Sequence, residues 1–190
     1  MKQTPYSVDD YNSGDGMLTT VWGPSMWHYL HTMSFNYPVN PTCDDKRYYR
    51  NFILNLQNVL PCGKCRRNLK KNFKKHPLTA DAMKSRTTFS KYIYELHEVI
   101  NKMLKKKSGL TYNDIRDRYE HFRSRCTKSY KEFKKKSKTA KKRNTEKGCT
   151  EPLYGEKSKC VIKIVPQSDN VETFQMDKKC IKRTLSTDIE

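Results

Sequence analysis

The sequence predicts an all-α protein, a bundle of four to five helices followed by a basic, largely unstructured C-terminal extension. Three observations carry this expectation. Apolar residues recur at the 3.6-residue period in successive segments punctuated by proline or glycine. No alternating strand pattern appears before residue 127. Beyond it the chain turns Lys/Ser/Thr-rich and loses its periodicity.

Residues 1–20 are polar, contain Gly14 and Gly16, and read as a mobile lead-in. The first helix has Pro24 suited to its first position and Trp27, Leu30, His31 and Ser34 at i, i+3, i+4 and i+7, until Tyr37-Pro38 forbids continuation. Thr42 or Asp44 caps a second helix with the stripe Tyr49, Phe52, Ile53, Leu56, Val59 and Leu60, which Pro61 stops. A third begins around Cys62-Gly63-Lys64-Cys65 and runs through Leu69 and Phe73 to about His76-Pro77. This places two cysteines at a helix N-terminus. The fourth and longest spans roughly 86–106, with Phe89, Ile93, Leu96, His97, Ile100, Asn101 and Leu104 on one face and Ser108-Gly109 as its stop. A short last helix, about 113–125, carries Ile115, Tyr119 and Phe122. The expected organisation is a lead-in over 1–20, a helical domain over 21–127, a Lys-rich linker over 128–147 and a tail over 148–190, in which Val161–Val165 is the one short strand candidate.

Charge and composition exclude several classes. The 190 residues hold 39 Lys+Arg against 20 Asp+Glu, a formal net charge of +19, and residues 128–147 alone carry +8. Such a run reads first as a solvated linker, and an acidic partner or nucleic acid is its less favoured use. No apolar run approaches the length of a membrane span. The N-terminus, Met1-Lys2-Gln3-Thr4-Pro5-Tyr6, lacks the apolar core of a secretory signal, giving a cytosol-like address. Seven cysteines are many for a reducing compartment, so metal binding or thiol redox chemistry has to be weighed.

Cys62-x-x-Cys65 is the sharpest local feature. The helix N-terminus together with Lys64, Arg66 and Arg67 favours a thiolate, which suits a redox pair. Half of a zinc site is the rival reading, but the remaining cysteines lie 11 or more residues from their nearest neighbour and no second His pair follows. Trp27 with His31, and His97 with Asn101, would each alone be ordinary core residues. Together with a dithiol in a basic setting they describe a pocket for a flat, anionic redox cofactor.

The runs Trp22-Gly23-Pro24-Ser25-Met26-Trp27-His28-Tyr29-Leu30-His31, Pro61-Cys62-Gly63-Lys64-Cys65-Arg66-Arg67 and Leu96-His97-Glu98-Val99-Ile100-Asn101, in this order and spacing over roughly residues 20–126, resemble the flavin-linked sulfhydryl oxidases of the Erv/ALR type. The Trp-Gly-Pro opening is most similar to the short members of large DNA viruses. The resemblance implies a helical bundle around FAD, usually a homodimer, with Trp27, His31, His97 and Asn101 as flavin and adenine contacts, Lys106 as a further contact, and Tyr92 where the family has Trp. It implies that Cys65 is the thiol nearest the flavin and Cys62 the interchange thiol. Electrons would pass from a protein dithiol or thioredoxin-like substrate through this pair and FAD to O2, giving H2O2. Glu98 stands where the family has Asn. Cys126 matches one half of the family's structural disulfide, whose other half would fall near Leu110-Thr111, so Cys126 is free or paired with Cys43 or a tail cysteine. A mobile shuttle disulfide is expected among Cys149, Cys160 and Cys180, with Cys149–Cys160 as the favoured pair. For a viral member the address becomes host cytoplasm or virion. The alternative function is a basic zinc- and nucleic-acid-binding protein.

Overall fold

The computed structural model describes residues 6–124, 149, 152–154, 156–160, 163–166, 168, 169 and 177–180. They fall in two compact units, Met1–Gly109 and Leu110–Glu190. The division at Gly109 groups the last helix with the second unit, whereas the sequence suggests one helical domain to residue 127. The Lys-rich run 128–147 and Cys126 lie outside the described residues. No helix among the described residues is long and apolar enough to cross a membrane.

The first unit is helical throughout, as the periodicity predicts. Its helices are α1 (Val8–Tyr11), α2 (Thr19–Phe35), α3 (Cys43–Val59), α4 (Gly63–Lys75) and α5 (Arg86–Met103), with a 3-10 turn at Asp81–Met83. Side-chain caps explain most starts. Ser7, Thr42 and Ser85 each accept the backbone N–H three residues on, satisfying a donor that the first turn leaves open. The lead-in therefore contains one ordered turn, built by the Ser7–Asp10 capping box.

Two helix ends depart from expectation for identifiable reasons. α2 begins at Thr19, leaving Pro24 inside the helix. Its first turn is held locally, where the Leu18 carbonyl accepts from Val21 N–H at 3.0 Å and the Met17 carbonyl accepts from the Trp22 indole at 3.1 Å, and from outside, where Met17 N–H donates to the Pro61 carbonyl at 2.8 Å. α5 stops at Met103, short of Lys106, because Lys105 adopts φ 57° and Lys106 N–H returns to the Asn101 carbonyl at 2.8 Å while Lys105 N–H bonds the Lys102 carbonyl. These paired bonds are a Schellman ending with lysine at the left-handed position.

The core joins all four long helices. Leu30, Tyr37, Ile53, Leu56, Leu69, Phe73, Phe89, Tyr92, Ile93 and Leu96 are buried together, and α5 packs on both α2 and α4. Tyr37, expected only as a helix stop, is fully buried; its hydroxyl donates to the Met83 carbonyl at 3.0 Å and its own carbonyl accepts from Arg86 Nε at 2.6 Å. Phe52 and Val59, expected in the α3 stripe, stay exposed, since α3 turns only its Ile53–Leu56 side to the core.

In the second unit α6 (Tyr112–Glu120) starts at a Thr111–Asp114 capping box and buries Ile115 and Tyr119. Ser124 bridges antiparallel to Pro152, Leu153 N–H donates to the Arg123 carbonyl at 2.8 Å, and Glu156 N–H donates to the Lys179 carbonyl at 3.0 Å. The described tail residues thus have local order that composition did not suggest. The expected strand is not seen: residues 163–165 are not in a strand, and 161 and 162 lie outside the described residues.

Candidate functional site

Pro61 ends α3, and Cys62 takes an extended backbone that makes it the N-cap of α4. Its Sγ accepts Cys65 N–H at 3.2 Å, and the two sulfurs are joined as a disulfide with Cα atoms 5.2 Å apart. When the bond opens, the positive end of α4 lies at these sulfurs, and the lysine and two arginines of the first turns add to it. The two cysteines differ in surroundings. Cys65 packs against the hydrophobic core, whereas the Cys62 backbone lies under Gly16 and Met17.

A second group forms where α2 faces α5. The rings of Trp27 and His97 stack face to face, with centroids 3.8 Å apart and planes 6° from parallel. His31 Nε2 and His97 Nδ1 lie 3.0 Å apart, one donating and the other accepting. His31 is almost wholly buried, while Trp27 and His97 are half-buried. Trp27 packs on the same core as Cys65, so the aromatic plates and the dithiol share one foundation. Asn101 lies one turn beyond His97 and donates to Glu98 Oε1 at 3.0 Å, so the carboxylate that departs from the family pattern holds the amide.

Two expected members stand apart. Tyr92 lies five residues before His97, about 140° round the helix; its ring stacks on His76 at 4.8 Å and its hydroxyl donates to the His76 carbonyl at 3.1 Å. Lys106 is exposed beyond the end of α5, and only its backbone reaches Asn101. In the second unit Cys149 is disulfide-bonded, whereas Cys160 carries a free thiol, so the favoured Cys149–Cys160 pair is not formed. It is the free Cys180 that lines a pocket of about 220 Å3 with Cys149, together with His121. Cys43 is free and exposed, which removes it as a partner for Cys126.

Burial holds both imidazoles of the aromatic group neutral. His31 is pushed down to about 3, chiefly by desolvation and secondarily by the His97 and His28 rings. His97 is lowered to about 4 by desolvation, opposed by Glu98. The unfolded chain protonates these rings near 6.5, so below that pH it binds more protons than the folded chain and stability is lost. The urea midpoint should stay level above pH 7 and fall from about pH 6.5 down to about pH 3, most steeply above pH 4, where both rings contribute. A His31→Gln, His97→Gln chain should flatten that fall; an unchanged slope would place its origin elsewhere.

Sequence reading missed two features. The His31–His97 bond joins positions 66 residues apart, which no local pattern encodes. The approach of Gly16 to Cys62 had one signal, a glycine in an otherwise unremarked polar lead-in.

Fold and site together define a helical bundle whose one core carries both a cysteine pair equipped for thiol–disulfide exchange and a pair of stacked aromatic plates. A model of the Erv1 / Alr family matches residues 24–123, just over half of the chain, and the chain belongs to that family. It is 41% identical over 91 residues to the "Probable FAD-linked sulfhydryl oxidase" of Acanthamoeba polyphaga mimivirus, a stretch of 48% of this chain and 63% of that protein, less than two thirds of its length. It is 29% identical over 99 residues to an FAD-linked sulfhydryl oxidase of African swine fever virus, covering 52% of this chain and 80% of that one. The crystal structure of the yeast Erv1 core is similar with a TM-score of 0.49 and 26% identity, covering 60% of this chain and 93% of that chain.

Proposed function

We propose that this chain is an FAD-dependent sulfhydryl oxidase that forms disulfides in protein dithiols. The observation that carries the reading is the Cys62–Cys65 disulfide capping α4 on the same core as the Trp27–His97 stack, in a chain of the Erv1 / Alr family. The residues present fit FAD: two flat ring surfaces for its aromatic systems, neutral imidazoles that add no charge beside them, and the Asn101 carboxamide for a polar edge. Trp27 and His97 would hold the rings, His31 fixes the His97 plane, and Lys106 supplies a cation beyond α5. Tyr92 acts beneath, as core support.

In the chain's own chemistry, a substrate thiolate attacks Cys62 Sγ and Cys65 leaves as a thiolate stabilised by the α4 N-terminus. The second substrate thiolate attacks the mixed disulfide at the substrate sulfur, and Cys62 leaves. Substrate is then the disulfide and Cys62/Cys65 the dithiol. FAD, held by Trp27, His97 and Asn101, would supply the two-electron acceptor for reoxidation of the pair and the route to O2, with H2O2 as product.

Kinship with two viral proteins supports action in a cytosol-like compartment, host cytoplasm or virion. Tyr29, Tyr48, Phe52 and Val59 remain exposed on α2 and α3, which supports a second copy of the chain as partner. With Cys149 already in a disulfide, the free thiols Cys160 and Cys180 are the described tail cysteines left to form a shuttle pair. Purified protein should be yellow, release FAD on denaturation and consume O2 with dithiothreitol; colourless protein with stoichiometric zinc would overturn the reading. Removing residues 128–190 should leave dithiothreitol oxidation within about twofold and slow oxidation of a folded protein dithiol about tenfold or more, the advantage a tethered carrier confers. Equal loss on both substrates would show that the tail serves the fold.

A further inference from the structure

We propose that Gly16 and Met17 form a clasp over the redox turn that determines which thiols reach Cys62. The proposal rests on the reading of Cys62 as the sulfur that meets partner thiols. The peptide of Met17 is held from both sides: its N–H donates to the Pro61 carbonyl at 2.8 Å, and its carbonyl accepts the Trp22 indole N–H at 3.1 Å. Gly16 makes the closest approach. A Cβ there would stand 2.9 Å from the Pro61 oxygen and 3.0 Å from Cys62 Cα, both main-chain atoms that cannot swing aside, so no side chain fits. At Gly14 a Cβ would meet nothing within 4 Å, so the fit is confined to the residue lying on the turn.

The position matters for chemistry. Cys62 is half-buried and extended, and the carbonyl preceding it is the acceptor that a polypeptide laid beside the reacting sulfur would use for a main-chain bond. Met17 N–H already occupies it. A small thiol needs only a line of approach to Sγ, after which its sulfur bonds to Cys62 and Cys65 departs as the thiolate. A folded partner needs the surface around the sulfur and has to move the clasp to gain it. Met17 and Leu18, 69% and 73% exposed, then offer that partner an apolar rim.

The test uses the full reduced chain and needs neither FAD nor oxygen, so its outcome is separate from that of the oxidase reading. Alkylation of Cys62 by iodoacetamide and by a polyethylene-glycol maleimide is timed and mapped by peptide mass spectrometry in the wild type, Gly16→Val and Trp22→Phe. Gly16→Val should raise the rate with the bulky reagent about tenfold, the scale of one lost hydrogen bond, while iodoacetamide changes by less than about twofold. Trp22→Phe, which keeps an aromatic ring on the core but removes the indole N–H together with the volume of the second ring, should shift the same ratio severalfold and decides the matter if Gly16→Val does not fold. Equal acceleration of both reagents, or no change with either, would overturn the clasp.

Discussion

Cys65→Ser should lower dithiol-dependent oxygen uptake by on the order of a thousandfold or more while leaving FAD bound. The cysteine removed is the one packed on the core that also supports Trp27, so its loss takes away the sulfur through which the pair is reoxidised but not the aromatic surfaces. Cys62→Ser should be equally inactive, for a different reason: no sulfur remains to meet the partner. It leaves Cys65 as a thiolate at the start of α4, where the helix end and the neighbouring cations favour the charge. A thiolate beside an oxidised flavin donates electron density, so this variant should show a long-wavelength absorption band that fades on acidification. Absorption and oxygen-electrode traces on the two variants decide it. A band in Cys65→Ser instead would reverse the roles of the two sulfurs.

His97→Ala should weaken FAD retention severalfold, up to about tenfold. The change deletes one ring surface offered to the cofactor, a stacking contact worth about 0.5–1.5 kcal/mol, whereas loss of the 3.0 Å bond to His31 falls on the stability of the free and the bound chain alike. His97→Phe restores a ring but not the bond and should fall between. Equilibrium dialysis of FAD measures the affinity, and a far-UV spectrum checks that α5 persists. Unchanged affinity in His97→Ala would return the residue to a packing role.

The parts of this fold legible in the sequence are those set by local chemistry. Pro61, the Thr42 cap and the stripe from Phe89 to Leu96 each place an element through interactions within a turn or two, and α3 and α4 begin where those residues require. Two helix ends are not legible. α2 starts early because Met17 is anchored to the distant Pro61 and to Trp22, and α5 stops early because Lys105 accepts a left-handed backbone that its type does not advertise. The site divides in the same way. Cys62, Cys65, Trp27 and His97 announce themselves by type and spacing. Tyr92 occupies the family position of a cofactor contact, and its angle round α5 turns it to His76. Loop length favours Cys149–Cys160, but a disulfide forms where backbones converge rather than where the intervening chain is short, and Cys160 carries a free thiol.

Cys62 is both the first acceptor of α4 and one half of its disulfide. A thiolate is a stronger acceptor than a disulfide sulfur, so opening the bond tightens the first turn of the helix. By linkage, whatever tightens that turn also draws electrons onto the pair, and whatever frays it makes the pair a poorer oxidant. The electron affinity of the dithiol is therefore partly a property of thirteen helical residues, Gly63–Lys75, and a substitution far down α4 that alters only helix strength would retune it without touching sulfur.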